Sequence, residues 1–340
     1  MDYILFRKLN IIIKKRFILF LDQKETSMKL NKTLVAATLA AAVVAPAAQA
    51  DVTLSGSFGG FVVAPIDSDV DGDDVLIGSS KARINVKGSE AITDSTAAFA
   101  ELELDYDDSA NAGGKGTIEV RTAKVGVAGN FGTLLIAGRT ASGTWNDVVG
   151  PMDIFEYGGA SFFEQGSRSS NVLAYVTPSF AGGLSFVGAV VASGTNNDED
   201  ADALVARARY NNDMVHVAVS MTDYPSDEQR IGAAASANIG PATLGLAYET
   251  TTDDPTFGDK DVAGVTLASG LGNGFSVALG FNTVLEGAQE DATAIQVLVS
   301  KSLSDNVSVW AEYDNYNDEA VELDENIDSD IFAVGMSLGF

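Results

Sequence analysis

The sequence predicts an all-β fold, a transmembrane antiparallel β-barrel of 16 strands. Three observations carry this. Short segments alternate apolar and polar residues with period 2 and hold charges at their middles. Tight turns alternate with long polar connections in a number that gives an even strand count. No apolar run after residue 50 approaches the ~20 residues of a membrane helix.

Composition excludes most other classes. The 340 residues include 47 acidic and 21 basic side chains, a formal charge of −26, which argues against nucleic acid as a partner. With no Cys there is no disulfide framework, thiolate metal site or cysteine nucleophile, and the one His, His216, rules out multi-His metal sites. The chain has no GxSxG elbow and no HExxH, and GLGNG at 270–274 reads as a turn because the last Gly of a dinucleotide fingerprint is missing. No catalytic residues, metal or cofactor are therefore expected, and the chain does not read as an enzyme.

The chain divides into three stretches. Residues 28–50 have a basic start at Lys29 and Lys32, an apolar run over 34–45 and Ala48-Gln49-Ala50 before Asp51, the order of a secretory signal peptide. Residues 1–27 place Lys14, Lys15 and Arg16 inside an apolar stretch and precede a complete signal, so they read as an extension from a misassigned start at Met1. The barrel is expected over 51–340. Removing the eight basic and three acidic residues before Asp51 leaves 13 against 44, a formal charge of −31.

The strands follow in order. In 51–62, Val52, Leu54, Phe58 and Val62 share one parity, and Thr53, Ser55 and Ser57 the other. Ala82, Ile84 and Val86 then oppose Lys81, Arg83, Asn85 and Lys87, while Leu102, Leu104 and Tyr106 oppose Glu101, Glu103 and Asp105. Turns are expected at 88–95, 129–132, 179–184, 211–213, 239–241, 270–274 and 304–306. Between them lie eight longer connections at 66–78, 107–117, 140–167, 194–202, 223–229, 250–261, 283–291 and 315–329. Eight hairpins joined by seven turns make sixteen strands, with both termini on the short-turn side, so the first and last strands can pair and leave no edge.

The polar parity sets which way the sheet faces. Lys81, Arg83, Glu101, Glu103, Arg207 and Arg209 sit mid-strand, where a dry sandwich core would not tolerate them and a wet lumen would. The apolar parity then faces lipid. Trp145, Trp310, Tyr106, Tyr175, Tyr210, Tyr248 and Tyr313 are candidates for interfacial girdles, some falling in loops or lumen, and His216 is a polar wall residue. Acidic runs at Asp67, Asp69, Asp71, Asp73 and Asp74, at Asp198, Glu199, Asp200 and Asp202, and at Asp318, Glu319, Glu322, Asp324 and Glu325 read as solvated loop charge. DSDVDGDD at 67–74 lacks the closing Glu of a calcium loop.

Residues 82–90 (ARINVKGSE), 130–139 (NFGTLLIAGR), 155–159 (FEYGG), 168–171 (RSSN) with Tyr175, Thr177 and Pro178, and 332–340 (FAVGMSLGF) together resemble the Gram-negative general diffusion porins. The resemblance runs in order over about 51–340 and is densest before residue 180. It implies a trimer of sixteen-stranded barrels in the outer membrane, each with its third loop folded into the lumen as a constriction.

By residue, the resemblance implies a basic constriction wall of Arg83, Arg139 and Arg168, which Lys81 joins by its strand parity, facing the loop acids Asp153 and Glu156. Met152 and Phe155 depart from the family's usual loop residues. Glu101, Glu103, Arg207 and Arg209 line the lumen, and Phe340 closes the terminal strand as an assembly signal. The function implied is passive diffusion of ions and small hydrophilic solutes with cation preference. Implied partners are two further copies of the chain, outer-membrane lipid, lipopolysaccharide bridged by divalent cations, and the outer-membrane assembly machinery. A substrate-specific pore would carry an aromatic slide or sugar-binding row, and none is visible. A structural or adhesive barrel would need no open lumen.

Overall fold

A computed structural model describes residues 51–66, 75–107, 116–159, 162–166, 168–192, 201–254, 258–287, 290–321 and 330–340. The signal and extension, and the acidic stretches 67–74, 198–200 and 322–325, lie outside the described residues. The strands are β1 (Asp51–Pro65), β2 (Leu76–Thr93), β3 (Thr96–Asp107), β4 (Thr117–Gly129), β5 (Gly132–Ala141), β6 (Arg168–Val176), β7 (Leu184–Val191) and β8 (Ala203–Asn211). There follow β9 (Val215–Asp223), β10 (Gln229–Ile239), β11 (Ala242–Asp254), β12 (Gly258–Gly272), β13 (Phe275–Glu286), β14 (Thr293–Ser304), β15 (Val307–Tyr316) and β16 (Asp330–Gly339). Each pairs antiparallel with its sequence neighbours, and β1 pairs with β16 from Ser57 opposite Gly339 to Pro65 opposite Ile331. The barrel is closed. Phe340 completes the seam: Gly56 N donates to Phe340 O at 3.0 Å, Phe340 N to Gly56 O at 3.1 Å, and the ring lies over the α-carbon of Gly56. Gly56 is thus covered by an aromatic ring.

The expected turns fall between the strands, with instructive differences in length. The turn expected over 88–95 is only Asp94–Ser95, because Gly88 stays in the ladder opposite Ala100. The connection expected over 250–261 shrinks to 255–257: Thr250, Thr251 and Thr252 pair with Ile231, Arg230 and Gln229. Polar residues do not end a strand at a barrel mouth, where both faces are wet, and threonine's β-branch favours the extended backbone.

On the outer parity, Leu246, Val265, Leu279 and Ile295 are exposed. On the inner parity of the same strands, Ala247, Thr266, Ala278 and Gln296 are buried. Tyr106, Tyr175 and Tyr248 are exposed on the outer parity, where a girdle belongs. The two tryptophans are elsewhere. Trp145 belongs to the connection after β5, and Trp310 is buried against Gly335, where a Cβ would strike its ring. No described helix is long and apolar enough to cross a membrane.

The largest buried apolar cluster is formed by the connection after β5 and the inner faces of β10–β16. Val148, Val149, Met152, Phe155, Phe162 and Phe163 meet Ala234, Ala247, Val262, Ala278, Ala294 and Ala333. A five-residue π-helical turn, Trp145–Val149, opens this connection, and a short helix α1 (Asp318–Val321) lies between β15 and β16.

Candidate functional site

Two walls of charge and hydrogen bonding meet the connection between β5 and β6. The first spans β2–β6. Lys81 and Arg83 stand on the inner parity of β2, Glu101, Glu103 and Asp105 on that of β3, and Lys124 on that of β4. The rows interlock as base, acid, base. Lys124 Nζ lies 2.7 Å and Lys87 Nζ 3.5 Å from Glu101, and Arg83 Nε is 3.1 Å from Asp105 Oδ2.

Arg121 faces inward at the point where the alternation of β4 changes parity. Glu103 pairs with Thr122 and Leu104 with Val120, leaving Arg121 as the extra residue of a β-bulge. Ile118 and Val120 are exposed before it and Val125 after it, so the facing residues change from even to odd at this point. Such a bulge re-aims a side chain. Arg121 reaches Glu103 Oε1 and Asp105 Oδ2, each at 3.0 Å. Two more irregularities flank it: Ser80 is unpaired on β2 and Gly138 on β5. Lys81, Arg83, Arg121, Arg139 and Arg168 thereby line one recess of about 280 Å³, together with the acids Asp105 and Glu119.

The second wall spans β8–β15 and binds the connection itself. On β15, Glu312 accepts from the backbone N–H groups of Glu156 at 2.7 Å, Tyr157 at 3.2 Å and Gly158 at 2.6 Å. On β11, Glu249 accepts from Glu164 N at 2.6 Å. Gln296 Nε2 donates to Gly159 O at 3.0 Å, and Thr266 Oγ1 to Pro151 O at 2.7 Å. A carboxylate receiving several N–H groups makes charge-assisted bonds, stronger than neutral ones. Between these polar anchors the wall has glycines where the connection packs closest: a Cβ on Gly264 would lie 2.6 Å from Met152 Sδ, one on Gly280 2.6 Å from the Phe155 ring, and one on Gly232 2.6 Å from Val148. The missing side chains form the groove that receives the connection.

The start of the connection is held by Asp147. Its carboxylate lies 2.5 Å from Arg207 Nη1 and 3.4 Å from Arg209 Nη1, and its carbonyl oxygen is 2.8 Å from His216 Nε2. The far end is held near the mouth. Lys260 Nζ lies 3.2 Å from Glu164 Oε1, and Arg230 donates to Glu164 O and lies 2.7 Å from Glu228 Oε1. Arg230 also sits 5.4 Å from the Tyr224 ring centroid; burial pushes that phenol above its ordinary range, against the opposing pull of the guanidinium.

The expected residues separate accordingly. Lys81 Nζ and Glu156 Oε2 meet at 2.8 Å, joining the β2–β6 wall to the connection. Arg83 pairs with its strand neighbour Asp105 rather than with the connection, and Arg168 Nη2 is 3.7 Å from Glu103 Oε1. Arg139 lines the recess. Asp153 is not opposite the bases: its Oδ2 accepts from Trp145 Nε1 at 2.9 Å, a bond inside the connection. Arg207 and Arg209 are on the inner parity as expected, but Asp147 holds both. Glu312, Glu249, Asp147 and Arg121 were not among the expected site residues. Strand pairing offers a signal for the first two: Glu312 faces Leu298 and Ala333, and Glu249 faces Gly232 and Val262. For Glu312, a mid-strand acid facing two apolar residues points to a partner outside the sheet; Glu249 has Arg230 diagonally across on β10 and carries this signal less clearly.

A family model described as Gram-negative porin matches residues 36–320. No curated protein matches the chain in sequence. Among solved structures, Salmonella typhi OmpF in complex with daunomycin aligns over 85% of this chain and 97% of its own at 18% identity, TM-score 0.69. The outer-membrane channel DcaP of Acinetobacter baumannii aligns over 87% and 99% at 12% identity, TM-score 0.68. The trimer form of OmpT, an outer-membrane protein of Vibrio cholerae, aligns over 86% and 99% at 14% identity, TM-score 0.67.

Proposed function

The chain belongs to the Gram-negative porin family, outer-membrane channels for small solutes, and from that premise we propose that it passes ions and small hydrophilic solutes down their gradients, with a preference for cations. The connection after β5 lies in the lumen and narrows it. The Lys81–Glu156 pair at 2.8 Å carries this reading, because the same segment that touches β2 is bonded through Glu312 to β15. The constriction is lined by Lys81, Arg83, Arg121, Arg139 and Arg168 on one side and by Glu156 on the other. Asp153 acts inside the connection and not as a constriction acid.

Opposed charges across a narrow, partly desolvated opening make a transverse field that favours polar solutes, while width sets the size limit. Transport by diffusion through such a lumen needs no catalytic group. The mature chain starts at Asp51 and assembles as a homotrimer, as in the trimeric neighbour. Phe340 serves first as the assembly signal and then as the seam residue over Gly56. The acidic long connections meet lipopolysaccharide, with divalent cations between the two sets of anions.

The formal charge of −31 left after Ala50 supports cation preference: acidic mouths concentrate cations within a Debye length, ~10 Å at 0.1 M salt and ~3 Å at 1 M. Reversal potentials across a salt gradient in planar bilayers test this. The wild type should be cation-selective in dilute salt, and Arg83→Ala with Arg139→Ala should increase that selectivity. Anion selectivity in dilute salt would mean that the basic wall outweighs the mouths, and would overturn the assignment.

A further inference from the structure

Between the start of the connection after β5 and the inner face of β8–β12 lies a cavity of about 430 Å³, within the ~300–1,000 Å³ of small-molecule sites. It sits toward the short turns: Asn211 ends β8, and Thr243 is next to the first residue of β11. One side is a single register row. Asn211 stands opposite His216 on β9, His216 opposite Ser236 on β10, Ser236 opposite Gly245 on β11, and Gly245 opposite Thr266 on β12. Each residue of the row comes from a different strand, so the row leaves no motif along the chain. The other side is the connection itself, with Asn146, Pro151 and Ile154.

The cavity offers polar groups without an unpaired charge. The Asp147 carboxylate at its edge is taken by Arg207 and Arg209. His216 Nε2 lies 2.8 Å from the Asp147 carbonyl and donates to it, which leaves Nδ1 as an acceptor in the neutral ring. Thr243 Oγ1 donates to Asn238 Oδ1 at 2.8 Å, so its oxygen can still accept. The side chains of Asn146, Asn211 and Ser236 have no hydrogen-bond partner among the described residues. A charged solute would find no free counter-ion here. An uncharged ring bearing several hydroxyl groups can give and take bonds at each of these carboxamides and hydroxyls, and Pro151, Ile154 and Ala268 supply apolar surface for its C–H face.

We propose that this cavity is a binding station for an uncharged polyhydroxylated solute of monosaccharide size, with Asn146, Asn211, Ser236 and Thr243 as its hydrogen-bonding groups. The proposal rests on the channel reading and deepens it by naming a solute class and the place where it pauses. The charged walls act on ions, and the station acts on solutes that those walls do not sort. Occupancy must be brief, since a site that binds too tightly blocks its own pore.

The test is single-channel recording of the mature protein in potassium chloride, titrated with D-glucose and, as a control of similar size with ether oxygens and fewer hydroxyls, with triethylene glycol. D-glucose should reduce the ion current saturably, beyond the proportional loss that triethylene glycol causes by displacing electrolyte. With each variant referred to its own sugar-free current, Asn211→Ala with Ser236→Ala should raise the half-saturating glucose concentration by about fivefold or more, since two hydrogen-bonding groups are lost. Ser236→Thr, which keeps the hydroxyl, should stay close to wild type. If the double variant does not insert, Ser236→Ala alone is compared with Ser236→Thr in the same way. A current loss that is linear in glucose and matches triethylene glycol, or a saturable one that removing these side chains leaves unchanged, overturns the proposal. If the wild type carries no ion current, the channel reading fails, and calorimetric titration of D-glucose into the detergent-solubilised protein decides the station by itself. Saturable heat that the alanine variant loses would keep the station, and its absence in the wild type would remove it.

Discussion

On the β2–β6 wall, charged side chains stand in rows and pair with one another across strands, whereas on the β8–β15 wall glycine and alanine positions face the connection after β5 and the acids Glu249 and Glu312 accept from its backbone N–H groups. Both walls obey the same period-2 alternation. They differ in what the inner face meets: water and solutes on one side, a folded segment of the same chain on the other. An acid in the first setting is a charge that solutes meet, and in the second it is an anchor. Comparing Glu101, which holds Lys87 and Lys124, with Glu312, which holds three successive N–H groups, makes the point at the level of single residues.

The largest expected effect breaks the anchored wall. Glu312→Ala removes three hydrogen bonds to the backbone of the connection, each worth about 0.5–1.5 kcal/mol, and leaves N–H groups there without acceptors. The ladder hydrogen bonds of β15 are backbone bonds and survive the change, so the barrel should still form and shift on unheated gels. The tip of the connection should come loose, giving a larger and noisier single-channel conductance. A wild-type conductance with wild-type noise would show that Gln296, Thr266 and the apolar cluster seat the connection without Glu312.

The comparison also explains what was legible in the sequence. Sixteen strands and closure were legible, because alternation and turn chemistry are local and repeat along the chain. Glu156 was singled out through a family motif and Lys81 through its mid-strand parity, and the structure brings the two together. Arg121 was not among the expected residues: Ile118 and Val120 place it on the polar parity, Val125 on the other, and only the bulge between them decides which holds. The glycine groove was not legible either. Gly232, Gly264 and Gly280 look like weak strand residues until the connection, roughly a hundred residues away in sequence, is laid against them. Asp153 was misplaced because its partner, Trp145, lies within the connection, where strand parity gives no guidance.

A middle-sized effect makes the anchored wall resemble the open one. Asp147 neutralises Arg207 and Arg209, so Asp147→Asn should release two guanidinium groups into the lumen. Reversal potentials should move toward anions, by an amount comparable to the loss of Glu101 on the β2–β6 wall, which likewise holds two bases. The bond between His216 and the Asp147 carbonyl is to the backbone and should persist, keeping the π-helical turn in place. An unchanged reversal potential would mean that both arginines find other acids.

The smallest effect concerns the one ion pair that joins the two regions. Lys81 and Glu156 meet at 2.8 Å, but both side chains are about a quarter or more exposed, at 31% and 25%, so solvent screens them and the pair is worth only ~0–1 kcal/mol to stability. Glu156→Gln should leave thermal unfolding of the barrel almost unchanged, because Glu312 grips the backbone of residue 156 and not its side chain. Selectivity should still respond. Removing the carboxylate frees the Lys81 charge, and, on the proposed constriction, the proposed cation preference should fall modestly in dilute salt. In concentrated salt, where the Debye length drops to ~3 Å, contributions from the mouths fade while a local change at the constriction persists better. The difference between Glu156→Gln and wild type should therefore shrink less with added salt than the cation preference itself does. Equal shrinkage of both would place Lys81 and Glu156 in the open vestibule, away from the constriction.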